Sequence, residues 1–332
     1  MSRTLRVSTR NASFQQWQAL LTNRTKRQRA GEFLVQGVRP ITLAVEHGWH
    51  VRTLLYPDGR QLSRWARDLL DRVGVTRVAM DPELLAELGG KDEERPELVA
   101  VVAQPPDQLN RITTGRTTTG TTASGGTTTG RTIPTGRSPG RTGDGDDLLV
   151  VVFDRPTTPG NIGTLVRSAD AFGASGVIIT GHAADPYDPK AVRASTGSLF
   201  AVPVVRVPGH REVLDWVDSL ADRHPSIKIV GTDEHGEVEV ADQDLTGPRI
   251  VLIGNETHGL SSAWRQACHR MVRIPITGAA SSLNAATAAT VVLYEAVRQR
   301  SRSNRNDTGN AALPGTGRAA FPSGPGPVGQ RS

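Results

Sequence analysis

The sequence predicts an α/β protein of two domains, and three observations predict it. Short apolar runs alternate with segments of helical periodicity on both sides of residue 110. The stretch from Asn110 to Asp147 is made almost entirely of Thr, Gly, Ser, Pro and Arg. Such a composition cannot bury enough apolar surface to offset chain entropy. The runs beyond it, LLVVVF at 148–153 and RIVLI at 249–253, are apolar without interruption, as strands of a parallel sheet covered on both faces are. A chain of 332 residues has ample length for two cores. The expected organisation is a basic disordered arm at 1–12, a small α/β domain at 13–107, a disordered Thr/Gly/Arg-rich linker at 108–147, a parallel-sheet domain at 148–300 and a disordered tail at 301–332.

In the first domain Phe14 to Leu21 reads as a helix with Trp17, Leu20 and Leu21 on its apolar side, and Asn23 to Gly31 as a basic connection. Strands are expected at Glu32–Val35, Val51–Leu55, Arg77–Ala79 and Leu98–Ala103. Helices are expected at Pro40–Glu46, Leu62–Leu70 and Pro82–Leu88. In the second domain strands are expected at Leu148–Phe153, Val177–Thr180, Val202–Val207, Ile227–Thr232, Arg249–Ile253 and Val272–Ile276. Helical segments fall at Asn161–Phe172, Pro189–Phe200, Arg211–Ala221 and Ser261–His269. Ser281, Ser282 and Asn284 then open a long helix ending at Arg298–Arg300.

Charge points to a partner. The formal net charge is +6, and residues 1–30 hold Arg3, Arg6, Arg10, Arg24, Lys26, Arg27 and Arg29 with no acid. A basic leading segment is the footprint of nucleic-acid binding. Arg24, Lys26, Arg27 and Arg29 are therefore candidate RNA contacts. Arg39 joins them, because Gly37-Val38-Arg39 at a strand-to-helix turn suits either a phosphate or a plain turn. Trp49 and Trp65 read as core or rim aromatics rather than base-stacking platforms. The lone Cys268 excludes an intrachain disulfide and a cysteine-based metal site, which fits a reducing cytoplasm. No apolar run approaches 18 residues and no signal-peptide core is present, so a cytoplasmic protein without a membrane segment is expected. Asp233, Glu234, His235 and Glu237 share a turn without metal-ligand spacing, and no metal is expected.

Two strand ends each deliver a polar, glycine-bearing loop: Gly254–Leu260, with Glu256 between two glycines, and Thr277–Asn284. In open α/β sheets ligands bind at the carboxyl ends of strands. The residues G-N-E-x-x-G-L from Gly254 and I-P-I-x-G-x-x-S-S-L-N from Ile274 resemble the second and third signature motifs of the SpoU (TrmH) group of SPOUT RNA ribose 2'-O-methyltransferases. Asn161 and Arg167, in PGNIGTLVRSADAFGA, resemble the first. Three ordered motifs over some 130 residues form a specific signal. The resemblance covers roughly Arg10 to Arg300 apart from the low-complexity segment.

That resemblance implies a trefoil-knotted parallel-sheet methyltransferase domain behind an L30-like RNA substrate-binding domain, with S-adenosylmethionine as cofactor. It implies a cofactor pocket lined by Gly254, Asn255, Ile274, Leu283 and Thr232. It gives catalytic roles to Arg167, Asn161, Glu256 and Asn284. Arginine stays protonated, so Arg167 is expected to hold the target phosphate and stabilise a developing alkoxide rather than act as base. Glu256 is expected to position Asn161 or Arg167, or to accept a proton through water. A homodimer through the alanine-rich start of the last helix is implied, with Arg167 or Asn161 reaching across. Two positions depart from the family pattern, Ala286 where serine is common and Ile276 where methionine is. The N-terminal portion also resembles a family member acting on a uridine of 23S rRNA, which implies that target and resistance to a ribosome-targeting antibiotic. A tRNA target and a non-catalytic RNA-binding or ribosome-assembly role are the alternatives. A dinucleotide-dependent oxidoreductase is disfavoured, since Gly160-Asn-Ile-Gly163 lacks G-x-G-x-x-G and Thr180-Gly181 supplies no acid.

Overall fold

The computed structural model describes residues 4–89, 95–113 and 148–309. The first of two sheets has the order β1-β4-β3-β5-β2. Its strands are β1 (Thr4–Val7), β2 (Glu32–Gln36), β3 (Val51–Pro57), β4 (Thr76–Met80) and β5 (Val99–Ala103). β1, β4 and β3 run parallel, while β5 is antiparallel to β3 and β2. One face packs Leu34, Leu55, Val78 and Val101 against Phe14 and Leu20 of α1 (Ala12–Thr22) and Leu84, Leu85 and Leu88 of α5 (Pro82–Gly89). The other packs Phe33, Val35, Leu54 and Val102 against Ile41 and Ala44 of α3 (Val38–Glu46) and Leu69 of α4 (Arg64–Arg72). Residues on alternate faces of each strand serve two cores, as the period of two requires.

Two expectations in this domain are corrected. The leading segment is no free arm over its described residues, because Thr4–Val7 forms an edge strand with Val7 buried. The basic connection is a helix, α2 (Arg24–Ala30): Asn23 accepts the Lys26 N–H as its cap and Gly31 closes it in the left-handed region at φ 62°. Arg, Lys, Gln and Ala are good helix formers, so charge composition alone misled.

The second sheet is parallel throughout, in the order β10-β12-β9-β11-β6-β7-β8. Its strands are β6 (Leu149–Asp154), β7 (Gly176–Thr180), β8 (Val204–Val207), β9 (Lys228–Thr232), the edge pair β10 (Val238–Glu239), β11 (Arg249–Ile253) and β12 (Arg270–Arg273). Val151, Phe153, Val177 and Val251 face α6 (Pro159–Ala171), α7 (Pro189–Ala194) and α10 (Ala285–Gly309). Val150, Val152, Ile178 and Leu252 face α8 (His210–Ser219) and Trp264 of α9 (Ser262–Ala267). Both faces are covered, as the uninterrupted apolar runs predict.

Three boundaries move. β12 ends at Arg273, before Ile274, and Ile276 is exposed; Pro275 has no N–H with which to continue a ladder. The segment before Leu148 is ordered as far as it is described. Leu109–Arg111 makes a 3-10 turn, and Ile112 is buried against the second sheet. Residues 114–147, assigned to the linker, lie outside the described residues. α10 runs to Gly309 rather than stopping at Arg300, and residues 310–332 lie outside the description.

The domains share a buried seam. The core that holds Phe33 and Ile41 continues into Tyr187, Leu199 and Phe200. Arg27 is 2% exposed and pairs with Asp185 at 2.8 Å and Asp188 at 3.2 Å. The Trp49 Nε1 donates to the Phe200 carbonyl at 3.0 Å, and Trp65 donates to Thr42, so both indoles serve packing. Among the described residues no helix is long and apolar enough to cross a membrane.

Candidate active site

The carboxyl ends of β9, β11 and β12, the start of α6 and the loop before α10 enclose a cleft of about 660 Å³. The size suits a small-molecule ligand. The chain reverses tightly at Asn255–Gly259, whose N–H and C=O groups pair in both directions at 3.0 Å. Gly259 takes φ 62°. Gly254 has no space for a side chain: an added Cβ would stand 2.5 Å from the Gly259 carbonyl carbon and the Leu260 nitrogen. The glycines of this loop are thus required by close backbone approach and a positive φ.

Glu256 is the hub. Its Oε2 accepts from the Thr157 N–H and hydroxyl, both at 3.0 Å. Its Oε1 accepts from the Thr158 N–H at 3.2 Å and from Asn161 Nδ2 at 3.0 Å. Partial burial pushes the carboxyl up, but the Thr157 N–H and the other donors outweigh it and hold it below the usual carboxylate range. Asn161 Oδ1 in turn accepts from Asn284 Nδ2 at 3.1 Å. Asn284 also caps α10, its Oδ1 accepting from Ala286 N at 2.9 Å. Asn284 therefore ties the α10 loop to α6, not to the loop that carries Glu256.

Gly254, Asn255, Ile274, Leu283 and Thr232 all line the cleft. Leu283 and Ile276 are exposed apolar side chains there. The Asn255 side chain is turned away into the loop: Nδ2 donates to the Arg155 carbonyl at 2.7 Å, and Oδ1 accepts from Thr257 and His258 N–H. It shapes the loop, and Asn255 reaches the cleft as a lining residue of that loop. Thr232 Oγ1 donates to the Leu252 carbonyl at 3.0 Å. Arg167 is not brought to this cleft. It lies six residues beyond Asn161, about 9 Å along the helix and about 120° around it. It is exposed, and no described residue pairs with it.

Some contributors were not anticipated. Arg155 holds a left-handed φ of 51°, bonds Asp154 and donates to the Gly259 carbonyl at 3.3 Å. It straps the β6 and β11 loops together. Asp154, 3% exposed, accepts from Ser261 N at 3.0 Å and Thr180 Oγ1 at 3.1 Å. Arg265, paired with Asp233, lines the rim. A lone acid at the end of an apolar strand was the available signal for Asp154; strain at Arg155 leaves no trace in sequence.

The sequence matches the SpoU L30e-like domain over residues 11–100 and the SpoU rRNA methylase family over 148–294. It is 58% identical over 295 residues to the 23S rRNA (uridine(2479)-2'-O)-methyltransferase of Streptomyces viridochromogenes, spanning 89% of this chain and 92% of that one. The chain belongs to the SpoU rRNA methylase family. The crystal structure of the SpoU methyltransferase AviRb from Streptomyces viridochromogenes in complex with AdoMet superposes with a TM-score of 0.76 at 58% identity, covering 87% of this chain and 98% of that one. An AdoMet-bound rRNA methyltransferase from Sinorhizobium meliloti superposes at 0.69 with 27% identity, covering 89% and 98%.

In this SpoU methylase the candidate RNA contacts divide. Lys26 and Arg29 are exposed on α2 and Arg39 on α3. Arg24 is half-buried and donates to the Ala183 carbonyl. Arg27 is corrected: it is buried at the seam, with its guanidinium committed to Asp185, Asp188 and the Leu20 carbonyl. Asp233 pairs with Arg265, Glu237 with Arg270 and Glu234 with His235. Burial pushes the Cys268 thiol up to about 11, which keeps it protonated at neutral pH.

Proposed function

We propose that this methylase transfers the methyl group of S-adenosylmethionine to the 2'-hydroxyl of a uridine ribose in 23S rRNA. The observation that carries the reading is the joining of three separated motifs, through Glu256, Asn161 and Asn284, at the mouth of one cleft. The residues fit the cofactor. Leu283, Ile274 and Ile276 offer apolar surface for an adenine, and the tight reversal from Gly254 to Gly259 brings main-chain groups to the wall of the cleft. When bound, the cofactor would supply an electrophilic methyl group, its bond to sulfur exchanged for one to the 2'-oxygen, with the hydroxyl proton leaving to water.

The remaining work falls to the chain. Glu256 already accepts four hydrogen bonds and is held ionised, which supports a positioning role rather than that of a proton acceptor. It fixes the Asn161 amide, which keeps one N–H and one lone pair for the target ribose. Holding the hydroxyl in line with the methyl is the proximity contribution. Arg167 anchors the adjoining phosphate and stabilises the developing alkoxide. Since it faces away from the cleft of its own chain, the reading includes a cytoplasmic homodimer in which Arg167 of one copy completes the cleft of the other. The exposed Tyr294 on α10 and its edge-on contact with Phe172 beside α6 support that surface. The trefoil knot and resistance to a ribosome-targeting antibiotic belong to the same reading.

The test is methyl transfer from labelled S-adenosylmethionine to total RNA of a strain lacking the modification, mapped by ribose-methylation-sensitive primer extension. A single new stop at a 23S rRNA uridine is expected. Label confined to tRNA would overturn the target, and absence of transfer with the cofactor bound would overturn catalysis on RNA alone.

A further inference from the structure

A second cavity, of about 390 Å³, opens at the seam between the two domains. Its walls are the end of β2 and the first turn of α3 (Leu34, Val38, Pro40) on one side, and Pro189 and Val192 of α7 on the other. Most of the lining is apolar, yet its rim carries two guanidiniums, Arg39 and Arg193. Among the described residues no carboxylate lines it. Among the described residues Arg39 donates only to the Thr196 carbonyl, at 3.2 Å, and none pairs with the Arg193 side chain. Arg27, Arg206 and Arg249, by contrast, each have a carboxylate partner.

Three further features converge on the same rim. The first turn of α3 has no side-chain cap among the described residues, which leaves the N–H groups of Val38 and Arg39 for a ligand, Pro40 having none. Val38, an exposed apolar residue, stands at the mouth. Thr196 is held at φ 49°, a strained value for a β-branched residue, with its carbonyl fixed by Arg39. The cavity also lies close to the chemistry. α7 packs directly on α6: a Cβ on Gly163 would collide with the Ala191 carbonyl, and Asn161 is two residues away on the same helix. With packed helices 8–10 Å apart, the cavity is on the order of 15–20 Å from the cleft, a few nucleotides of extended RNA.

We propose that this seam cavity binds a nucleotide of the substrate RNA a few positions from the methylated one. The base enters the apolar slot. The phosphate sits between Arg39, Arg193 and the open N–H groups of α3. Guanidinium planes and apolar walls suit a splayed-out base, and bidentate arginine suits its phosphate. The site takes one wall from each domain, so it makes the register of the RNA depend on the fixed seam. The proposal rests on RNA being the substrate.

The test compares unaltered protein with Arg193→Ala, Arg193→Glu and Val38→Glu, and with Arg211→Glu as a control of equal charge change on α8, across the sheet. A 23S rRNA fragment holding the target is used intact and with single abasic positions. KM for the intact fragment should rise about tenfold in Arg193→Glu and Val38→Glu, with kcat at saturation kept. The salt slope of RNA binding should fall by about one in Arg193→Ala. One abasic position should impair the unaltered protein and cost the two glutamate variants nothing further. Arg211→Glu should match the unaltered protein throughout. Equal KM, salt slope and abasic profile in the variants, while the unaltered protein methylates the fragment, would overturn the cavity alone. If the unaltered protein binds RNA without methylating it, the binding data still decide the cavity. No RNA binding by the unaltered protein would overturn both. A defect seen only on assembled ribosomal subunits, with naked RNA unaffected, would assign the cavity to a ribosomal protein and overturn it.

Discussion

Glu256 receives two backbone N–H groups, one hydroxyl and one amide. Glu256→Gln keeps the shape but turns an NH2 toward two of those donors. The variant should lose roughly 1–3 kcal/mol of stability and at least tenfold in methyl transfer, with cofactor affinity changed less; calorimetry and single-turnover assays would read this. The pH dependence follows from the direction of the shift. The folded-state pKa of Glu256 is lowered. Its contribution is therefore complete above the unfolded-chain value of about 4.3 and is lost as pH falls through the lower folded value. Thermal melts of wild type and Glu256→Gln should converge in acid and diverge toward neutrality; a constant difference would reject this. Glu256 was legible as a candidate from its place between two glycines, but its partners were not. Thr157 and Thr158 lie about a hundred residues away in sequence, and only the closure of β6 beside β11 brings them near.

At the level of elements, the contact between α6 and α7 decides whether Asn161 is correctly placed. Gly163 lies where the two helices touch. An added Cβ would meet the Ala191 carbonyl, the Ala194 Cβ at 2.7 Å and the Ser195 nitrogen at 2.9 Å. Backbone cannot yield there as a flexible side-chain tip can. Gly163→Ala is expected to destabilise by about 1–3 kcal/mol through overpacking, although alanine is the better helix former. Gly160→Ala, where a Cβ meets open space, should be neutral or slightly stabilising by denaturant titration. Equal effects would reject the close-approach account. Apolar periodicity revealed these helices and the long strands well, because each has a buried face to encode. It failed on β1 and β10, edge strands of four and two residues with little buried side chain. It also overran β12, where Ile274 and Ile276 are apolar for the cleft and not for the sheet.

At the level of the whole molecule, the seam rests on a charge that sequence reasoning assigned to RNA. Arg27 and Asp185 are each 2% exposed in their side chains and meet at 2.8 Å. Among the described residues, Arg27→Met would leave buried Asp185 with the Tyr187 N–H and, as its one cation, the more distant Arg206 at 3.7 Å, and should cost about 3–5 kcal/mol in chemical denaturation. The double variant Arg27→Met, Asp185→Leu should recover much of that, since no buried charge is left unpaired. No recovery would show that the arginine acts by packing alone. A basic run carries no mark that separates a buried arginine from a solvated one; the acids that claim Arg27 lie some 160 residues onward.

Arg167 poses the same question across two copies of the chain. If each cleft takes Asn161 from its own chain and Arg167 from a second copy, Arg167→Ala and Asn161→Ala should each be inactive alone. Unfolded together and refolded at equal concentration, half the dimers should be mixed, and one cleft of each mixed dimer should hold both residues. About a quarter of wild-type turnover should then return, as follows for a symmetric two-fold assembly. If Arg167 swings into the cleft of its own chain, every cleft in every mixture lacks one residue and nothing returns. The exposed, unpaired guanidinium about 120° from Asn161 around α6 favours the first outcome, because reaching its own cleft would take the side chain back around the helix that carries it.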